Sequence, residues 1–297
     1  MSISDRRTEN KPGPQVKAAP PANLFPVQVN GKYGYIDRAG KMVIQPFLGG
    51  ASRFSEGLAA VQLKKGERVG YIDEAGKPVI PAQFDLADPF SEGLAAVMRD
   101  HKWGYIDKTG KIVIPVTFTL AQRFSEGVAG VVVTQGTSGL FGYINPSGSF
   151  VIVPRYEAAM PFSSGMAAVR SFGENYSFID ITGKTVIPAQ YLTAGEFVDG
   201  LAPVEVQAND GVRWGYINKE GTLAISARFT KAYPFSDGIA AVQTPDGKWG
   251  FVNPQGNVII APKFEQVANF TGGLAQVWTN NNLGYVDKNG KYVWEPK

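Results

Sequence analysis

The chain has 297 residues, 44% hydrophobic and 12% aromatic, and a formal net charge of +3. That apolar content excludes a wholly disordered protein, because burying it can offset the entropy lost on folding. The absence of cysteine and the single histidine exclude disulfide frameworks, thiolate metal sites, cysteine nucleophiles and sites that need two histidines. We therefore expect no metal site and no cofactor.

The first segment, residues 1–24, contains four prolines among small and polar residues, and we predict a disordered leader there. Neither the leader nor the rest of the chain shows the apolar run of a signal peptide or of a membrane-spanning helix. We expect a cytoplasmic protein without a membrane span. The basic residues form no cluster able to neutralise several phosphates, so nucleic acid is not an expected partner.

After the leader, one short pattern recurs eight times: glycine (serine once), an aromatic residue, isoleucine or valine, and aspartate or asparagine. Adjacent copies begin 34 to 38 residues apart, by subtraction of their first positions. So steady a period is typical of a solenoid, a propeller or an array. The copies are Gly34–Asp37, Gly70–Asp73, Gly104–Asp107, Gly142–Asn145, Ser177–Asp180, Gly215–Asn218, Gly250–Asn253 and Gly284–Asp287.

The third copy shows how one unit begins. Residues 103–106 are aromatic and β-branched and predict a strand. Asp107 and Gly110 occupy the first and fourth positions of a turn, where aspartate bonds nearby backbone and glycine accepts a positive φ. Residues 111–114 then form the return strand, which we expect Pro115 to end.

The remainder of the unit predicts a third strand and a fourth, shorter one. Residues 128–131 are small and β-branched, and they follow a turn at residues 125–127. A fourth short strand is predicted around the segment 118–124. Because no stretch of the chain keeps a helical apolar period, each unit is interpreted as an antiparallel meander of three to four strands.

The dipeptides Trp103-Gly104, Trp214-Gly215 and Trp249-Gly250 follow lysine or arginine and resemble the signature of the WG-repeat (KWG-repeat) family. The resemblance runs from about Phe25 to Pro296. Other copies depart from it at the tryptophan position, with Tyr33, Val69, Phe141, Tyr176 and Leu283, and Ser177 replaces one glycine. The resemblance implies a mostly bacterial repeat scaffold for interactions and supplies no catalytic residues.

We predict one all-β repeat domain of eight units over residues 25–297. Its most favoured form is a seven- or eight-bladed β-propeller-like ring, because the unit has about the size of a blade and the last unit ends on apolar residues 292–294 rather than on a polar cap. The alternative is an open β-solenoid or superhelical array.

Two groups of residues are candidates for binding. Trp103, Trp214 and Trp249 occupy equivalent positions and either pack between units or form a row that stacks on sugar rings or grips a peptide. Longer connections at residues 135–140 and 207–212 are the second candidate, because recognition in repeat proteins concentrates in such segments. In these segments we select Gln135, Thr137, Asn209 and Asp210.

No catalytic constellation is evident. The turn aspartates, such as Asp37, are replaced by asparagine in three copies, which favours turn geometry over metal or acid–base chemistry. His101 is interpreted as an exposed turn residue. The expected function is a monomeric, non-catalytic scaffold that binds another protein or a polysaccharide. A propeller-type carbohydrate-active enzyme and a structural, envelope-associated spacer are the alternatives.

Overall fold

The computed structural model describes residues 23–135, 138–209, 211–280 and 282–295. Within them, 31 strands form eight antiparallel sheets, and no helix is present. A membrane-spanning helix is accordingly not found in the described residues. The predicted leader lies outside the description except for Asn23 and Leu24.

Each sheet is one blade of a ring, and seven of the blades have four strands in chain order. The first strand of these blades has only two residues. Blade 1 consists of β1 (Phe25–Val29), β2 (Lys32–Ile36) and β3 (Met42–Leu48); blade 2 of β4 (Gly50–Ala51), β5 (Leu58–Gln62), β6 (Val69–Asp73) and β7 (Pro78–Phe84); blade 3 of β8 (Leu86–Ala87), β9 (Ala95–Arg99), β10 (Lys102–Ile106) and β11 (Ile112–Phe118); blade 4 of β12 (Leu120–Ala121), β13 (Ala129–Gln135), β14 (Ser138–Ile144) and β15 (Phe150–Tyr156). Blade 5 consists of β16 (Ala158–Ala159), β17 (Ala167–Arg170), β18 (Tyr176–Ile179) and β19 (Thr185–Tyr191); blade 6 of β20 (Thr193–Ala194), β21 (Ala202–Ala208), β22 (Gly211–Ile217) and β23 (Leu223–Phe229); blade 7 of β24 (Lys231–Ala232), β25 (Ala240–Gln243), β26 (Trp249–Val252) and β27 (Val258–Phe264); blade 8 of β28 (Gln266–Val267), β29 (Leu274–Thr279), β30 (Asn282–Asp287) and β31 (Tyr292–Trp294).

The turn between the third and fourth strands confirms the role predicted for its aspartate. Asp107 Oδ1 accepts hydrogen bonds from the backbone N–H groups of Thr109 at 2.9 Å and Lys111 at 3.1 Å. Asn145 Oδ1 holds its own turn in the same way. Because the side-chain oxygen alone carries this geometry, aspartate and asparagine are interchangeable there.

The fourth strand lies at the outer edge of its blade and continues past its proline. The prediction that Pro115 ends the strand is wrong, because an edge strand does not need the missing N–H and the pairing absorbs the residue through shifts of register. The shift brings this strand close to Gly104, where a Cβ atom would lie 2.7 Å from the carbonyl oxygen of Ile114. Glycine in the tryptophan-glycine pair therefore favours the close approach of the two strands, although Ser177 takes this position in blade 5.

The predicted fourth short strand within residues 118–124 is confirmed as β12, which pairs with β13. It belongs to the next blade, so a blade takes its first two strands from one sequence copy and its last two from the following copy. The turn that links the first two strands puts Glu56, Glu92, Glu126, Ser164, Asp199 and Asp237 at positive φ. The Glu92 carboxylate accepts hydrogen bonds from the N–H groups of Glu126 and Gly127 in the neighbouring blade.

The hydrophobic core lies between blades. Tyr105 of blade 3 is fully buried, packs on Phe124 of blade 4 and donates its hydroxyl to the Gln122 carbonyl at 2.7 Å. The same ring pair, with centroids 4.8 to 5.0 Å apart, joins each blade to the next along the chain. The pairs are Tyr35–Phe54, Tyr71–Phe90, Tyr105–Phe124, Tyr143–Phe162, Phe178–Phe197, Tyr216–Phe235 and Phe251–Phe270.

Blade 8 packs on blade 1 through a related pair of aromatic rings and closes the ring, with the phenylalanine supplied by β1 because the described part of blade 1 has no short first strand. Tyr285 meets Phe25 with ring centroids 5.6 Å apart and donates its hydroxyl to the Pro26 carbonyl at 2.8 Å. Val27, Ile36 and Leu274 complete this buried cluster. The chain is therefore an eight-bladed β-propeller, and the open array is excluded.

Candidate functional site

The short first strands face the centre of the ring. Arg123 of blade 4 and Glu196 of blade 6 form an ion pair with Nη2 and Oε2 2.5 Å apart, although blade 5 lies between their blades. Only residues that point to the centre can meet across an intervening blade. Both follow a short first strand, so the segments after these strands line the mouth of the ring.

The sequence repeat breaks down at this mouth. The two residues before the inner phenylalanine form a different pair in each of blades 2 to 8, although proline stands second in three pairs and arginine in two: Ser52-Arg53, Asp88-Pro89, Gln122-Arg123, Met160-Pro161, Gly195-Glu196, Tyr233-Pro234 and Ala268-Asn269. The recurring positions of the repeat, by contrast, keep glycine (serine once), an aromatic residue, isoleucine or valine, and aspartate or asparagine. Sequence reasoning missed these positions, and the signal that could have found them is this divergence between copies within one chain.

A cavity of about 730 Å³ lies between the inner edges of blades 3 and 4 and extends across the centre to blades 5 and 6. We call it the Trp103 cavity. Its wall combines the apolar side chains of Trp103 and Leu120 with the charged side chains of Asp88, Arg123 and Glu196. Trp103 is half-buried, so part of its indole ring is open to this space.

Asp88 is the unusual charge in this cavity. Among the described residues no hydrogen-bond donor and no cation pairs with its carboxylate, and burial raises its pKa above the usual value for aspartate. Asp88 and Trp103 also line a smaller adjoining space of about 350 Å³ on the side of blade 2. An unpaired, half-buried carboxylate therefore stands beside a half-exposed indole.

A second cavity, of about 460 Å³, lies between blades 6 and 7, and we call it the Trp214 cavity. Trp214 is half-buried in its wall, opposite Tyr233 and Pro234, and Glu205 and Lys231 are its other charged residues along with Glu196. Because Glu196 lines both cavities, the two spaces adjoin at the Arg123–Glu196 ion pair.

The third tryptophan of the predicted row is placed differently. Trp249 is only 5% exposed, because the Tyr233 ring packs against it with centroids 4.8 Å apart. Tyr233 occupies the position that Asp88 has in blade 3 and Gly195 has in blade 6. Tyr233 thus covers the tryptophan of its own blade, whereas Trp103 and Trp214 line the two cavities.

The longer connections predicted as binding loops are mostly strand. β13 and β14 pair as far as Gln135 and Ser138, and β21 and β22 pair as far as Ala208 and Gly211. Asn209 is exposed at the turn of the second hairpin, whereas Thr137 and Asp210 lie outside the described residues, as does the side chain of Gln135. We call this end of the ring the hairpin face. Both tryptophans stand a few residues after such hairpin turns and so lie near this face.

The remaining candidate, His101, is a turn residue, as predicted. His101 is exposed in a two-residue turn with φ of 60°. In the described part of the chain, no three histidine, cysteine, aspartate or glutamate side chains are grouped as metal ligands would be.

Comparison with family models finds one family, described as "WG containing repeat". Its model matches seven times, at residues 33–66, 70–103, 103–134, 141–173, 176–208, 214–249 and 249–282. These segments cover most of the chain. No curated protein matches the sequence.

Similar solved structures show the fold alone. The computationally designed protein Ika8 is 13% identical, with a TM-score of 0.52 over 92% of this chain and 95% of that chain. BamB from Moraxella catarrhalis is 15% identical, with a TM-score of 0.50 over 90% and 94% of the two chains. Apo AztD from Citrobacter koseri is 12% identical, with a TM-score of 0.50 over 91% and 93%.

Proposed function

We propose, since this chain belongs to the WG-repeat family, that it is a non-catalytic scaffold whose mouth binds an extended segment of another protein. The observation that carries the proposal is the pair of half-exposed tryptophans, Trp103 and Trp214, in two adjoining cavities of the same mouth. Concave sites of roughly 300 to 1,000 Å³ with a few convergent polar groups are the usual form of binding pockets.

An extended peptide suits this arrangement better than a compact ligand. The two cavities share Glu196 of the Arg123–Glu196 ion pair, and a chain that passes over the pair can place one side chain in each. Tryptophan in a desolvated pocket is a common hot spot of protein interfaces. The polar ion pair between them is positioned to meet the backbone of the peptide.

Selection from a phage library of random dodecapeptides tests the proposal. We expect enriched peptides to bind the wild-type protein and to lose at least about thirtyfold in affinity on Trp103→Ala or Trp214→Ala, since a hot-spot tryptophan contributes roughly 2 kcal/mol or more. Fluorescence anisotropy of the synthesised peptides measures the affinity, and thermal melting followed by circular dichroism checks that each variant is folded.

Phe47→Ala is the matched control, because Phe47 is 46% exposed on the outer strand of blade 1 and lines neither cavity. Its affinity should equal that of the wild type. Enriched peptides that bind both tryptophan variants as well as the wild type would place recognition elsewhere on the ring. A panel of polysaccharides, assayed in parallel, tests a glycan as the ligand.

A carbohydrate-active enzyme is the second candidate, and it is favoured by the two carboxylates of the Trp103 cavity. Burial raises the pKa of Asp88, as a general acid requires, and Glu196 lies in the same cavity. Release of reducing ends from the polysaccharide panel that disappears in Asp88→Asn would establish this activity. No release by the wild-type protein would reject it for those polysaccharides.

A further inference from the structure

We infer that the Trp103 cavity selects a basic side chain, a lysine or an arginine, of the bound peptide, with Asp88 as its counter-charge; this inference rests on the proposed function. The Asp88 carboxylate carries a charge that no residue within the described structure balances. The three charged residues of the cavity are Asp88, Arg123 and Glu196, and Arg123 bonds Glu196 at 2.5 Å. The Asp88 carboxylate is left without a cation.

The other titratable groups near Asp88 do not neutralise it. Its electrostatic neighbours include the phenols of Tyr71 and Tyr105, and burial raises the pKa of both, so they are neutral at physiological pH. The pKa of Asp88 itself is raised by burial, which is the sign that its ionised form lacks compensation. A cation that enters the cavity would restore that compensation.

The indole of Trp103 provides the second half of a cation site. Leu86, Met98 and Trp103 are in register across blade 3, so they share one face of the sheet. Asp88 directly follows β8 and lines the same two cavities as Trp103. A lysine or arginine side chain can therefore lay its methylene groups on the indole while its charged end reaches the carboxylate. Attraction of the cation to the indole face adds to the ion pair.

The equivalent positions in the other two tryptophan blades lack this combination. Blade 6 has Gly195 where blade 3 has Asp88, and blade 7 has Tyr233, which covers its tryptophan. Among these three blades, only blade 3 therefore combines a half-exposed tryptophan with a carboxylate at this position, which can select a basic side chain. The Trp214 cavity is expected to accept an apolar or aromatic side chain of the same peptide.

Titration with two small probes, followed by the indole N–H signal of Trp103 in NMR spectra, tests the inference. The probes are N-acetyl-lysine methylamide and its uncharged analogue N-acetyl-norleucine methylamide, and the Trp103→Phe variant assigns the signal. We expect saturable shifts with the lysine probe and at least about tenfold weaker binding of the norleucine probe. The Asp88→Asn variant should lose at least about tenfold in affinity for the lysine probe.

Asp85→Asn is the matched control, because Asp85 lies three residues away and its carboxylate already accepts the Asp100 N–H at 2.8 Å. It should change lysine affinity less than about twofold, as a charge outside the binding contact does. The melting temperature provides a separate readout. Removing a half-buried carboxylate that lacks a partner should leave it equal or higher in Asp88→Asn, because the raised pKa makes the ionised form destabilising at neutral pH.

Equal binding of the lysine and norleucine probes would overturn the cation site. Loss of lysine binding in Asp88→Asn together with a melting temperature lower by several degrees would overturn it as well, because the carboxylate would then stabilise the fold. If the selected dodecapeptides still bind through Trp103 and Trp214 in either case, the proposed function stands and only the charge selection fails. If those peptides do not depend on the two tryptophans either, both proposals fail.

Discussion

Replacing Phe124 by alanine is expected to lower the free energy of unfolding by about 3–5 kcal/mol. Phe124 is completely buried between blades 3 and 4, where its ring packs on Tyr105 and the surrounding side chains form one cluster. Backbone pairing on both sides holds the blades in place, so the cavity cannot collapse and its cost adds to the lost burial. Urea unfolding followed by tryptophan fluorescence measures the effect.

The control for this prediction is the same substitution at Phe47, which is 46% exposed on the outer strand β3. We expect a loss of about 1 kcal/mol or less there, because little apolar surface is withdrawn from water at that position. Equal losses at Phe47 and Phe124 would contradict the assignment of the core to the spaces between blades.

Phe25→Ala is expected to be as damaging as Phe124→Ala, with a loss of about 3–5 kcal/mol. Phe25 is 3% exposed and packs on Tyr285 at the contact between the first and last blades. If the ring is closed, this contact is an interior one, although its two rings are 260 positions apart in the chain, by subtraction. Unfolding in urea, run beside the Phe124 variant, measures the effect.

A loss below about 1 kcal/mol in Phe25→Ala would indicate that blades 1 and 8 do not depend on each other. Such a result would restore the open array that the structure excludes. Small-angle scattering of the wild-type protein gives an independent check, because a closed ring is more compact than an open array of the same blades.

The repeated part of the fold could be predicted from the sequence because its information is local. Asp107 and Gly110 specify a turn by their own chemistry, and eight copies of that turn fix the period. The behaviour of Pro115 could not be predicted in the same way. Whether a proline ends a strand depends on whether the strand lies at an edge, which is a property of the sheet.

The mouth of the ring could not be predicted because it joins residues that are distant in the sequence. Arg123 and Glu196 are 73 positions apart and meet only because the ring curves. The exposure of each tryptophan ring also depends on a neighbouring residue, since Tyr233 covers Trp249 while Gly195 leaves Trp214 open to its cavity. The sequence contained a partial signal, namely that the pair of residues before the inner phenylalanine is different in each of blades 2 to 8.

The most direct test of binding at the mouth is the set of five tryptophan indole N–H signals in an NMR spectrum of the protein with a selected dodecapeptide. The account predicts that the signals of Trp103 and Trp214 shift as the peptide saturates, and that the signal of the buried Trp249 stays in place. A spectrum in which a bound peptide leaves both the Trp103 and Trp214 signals unmoved would contradict it.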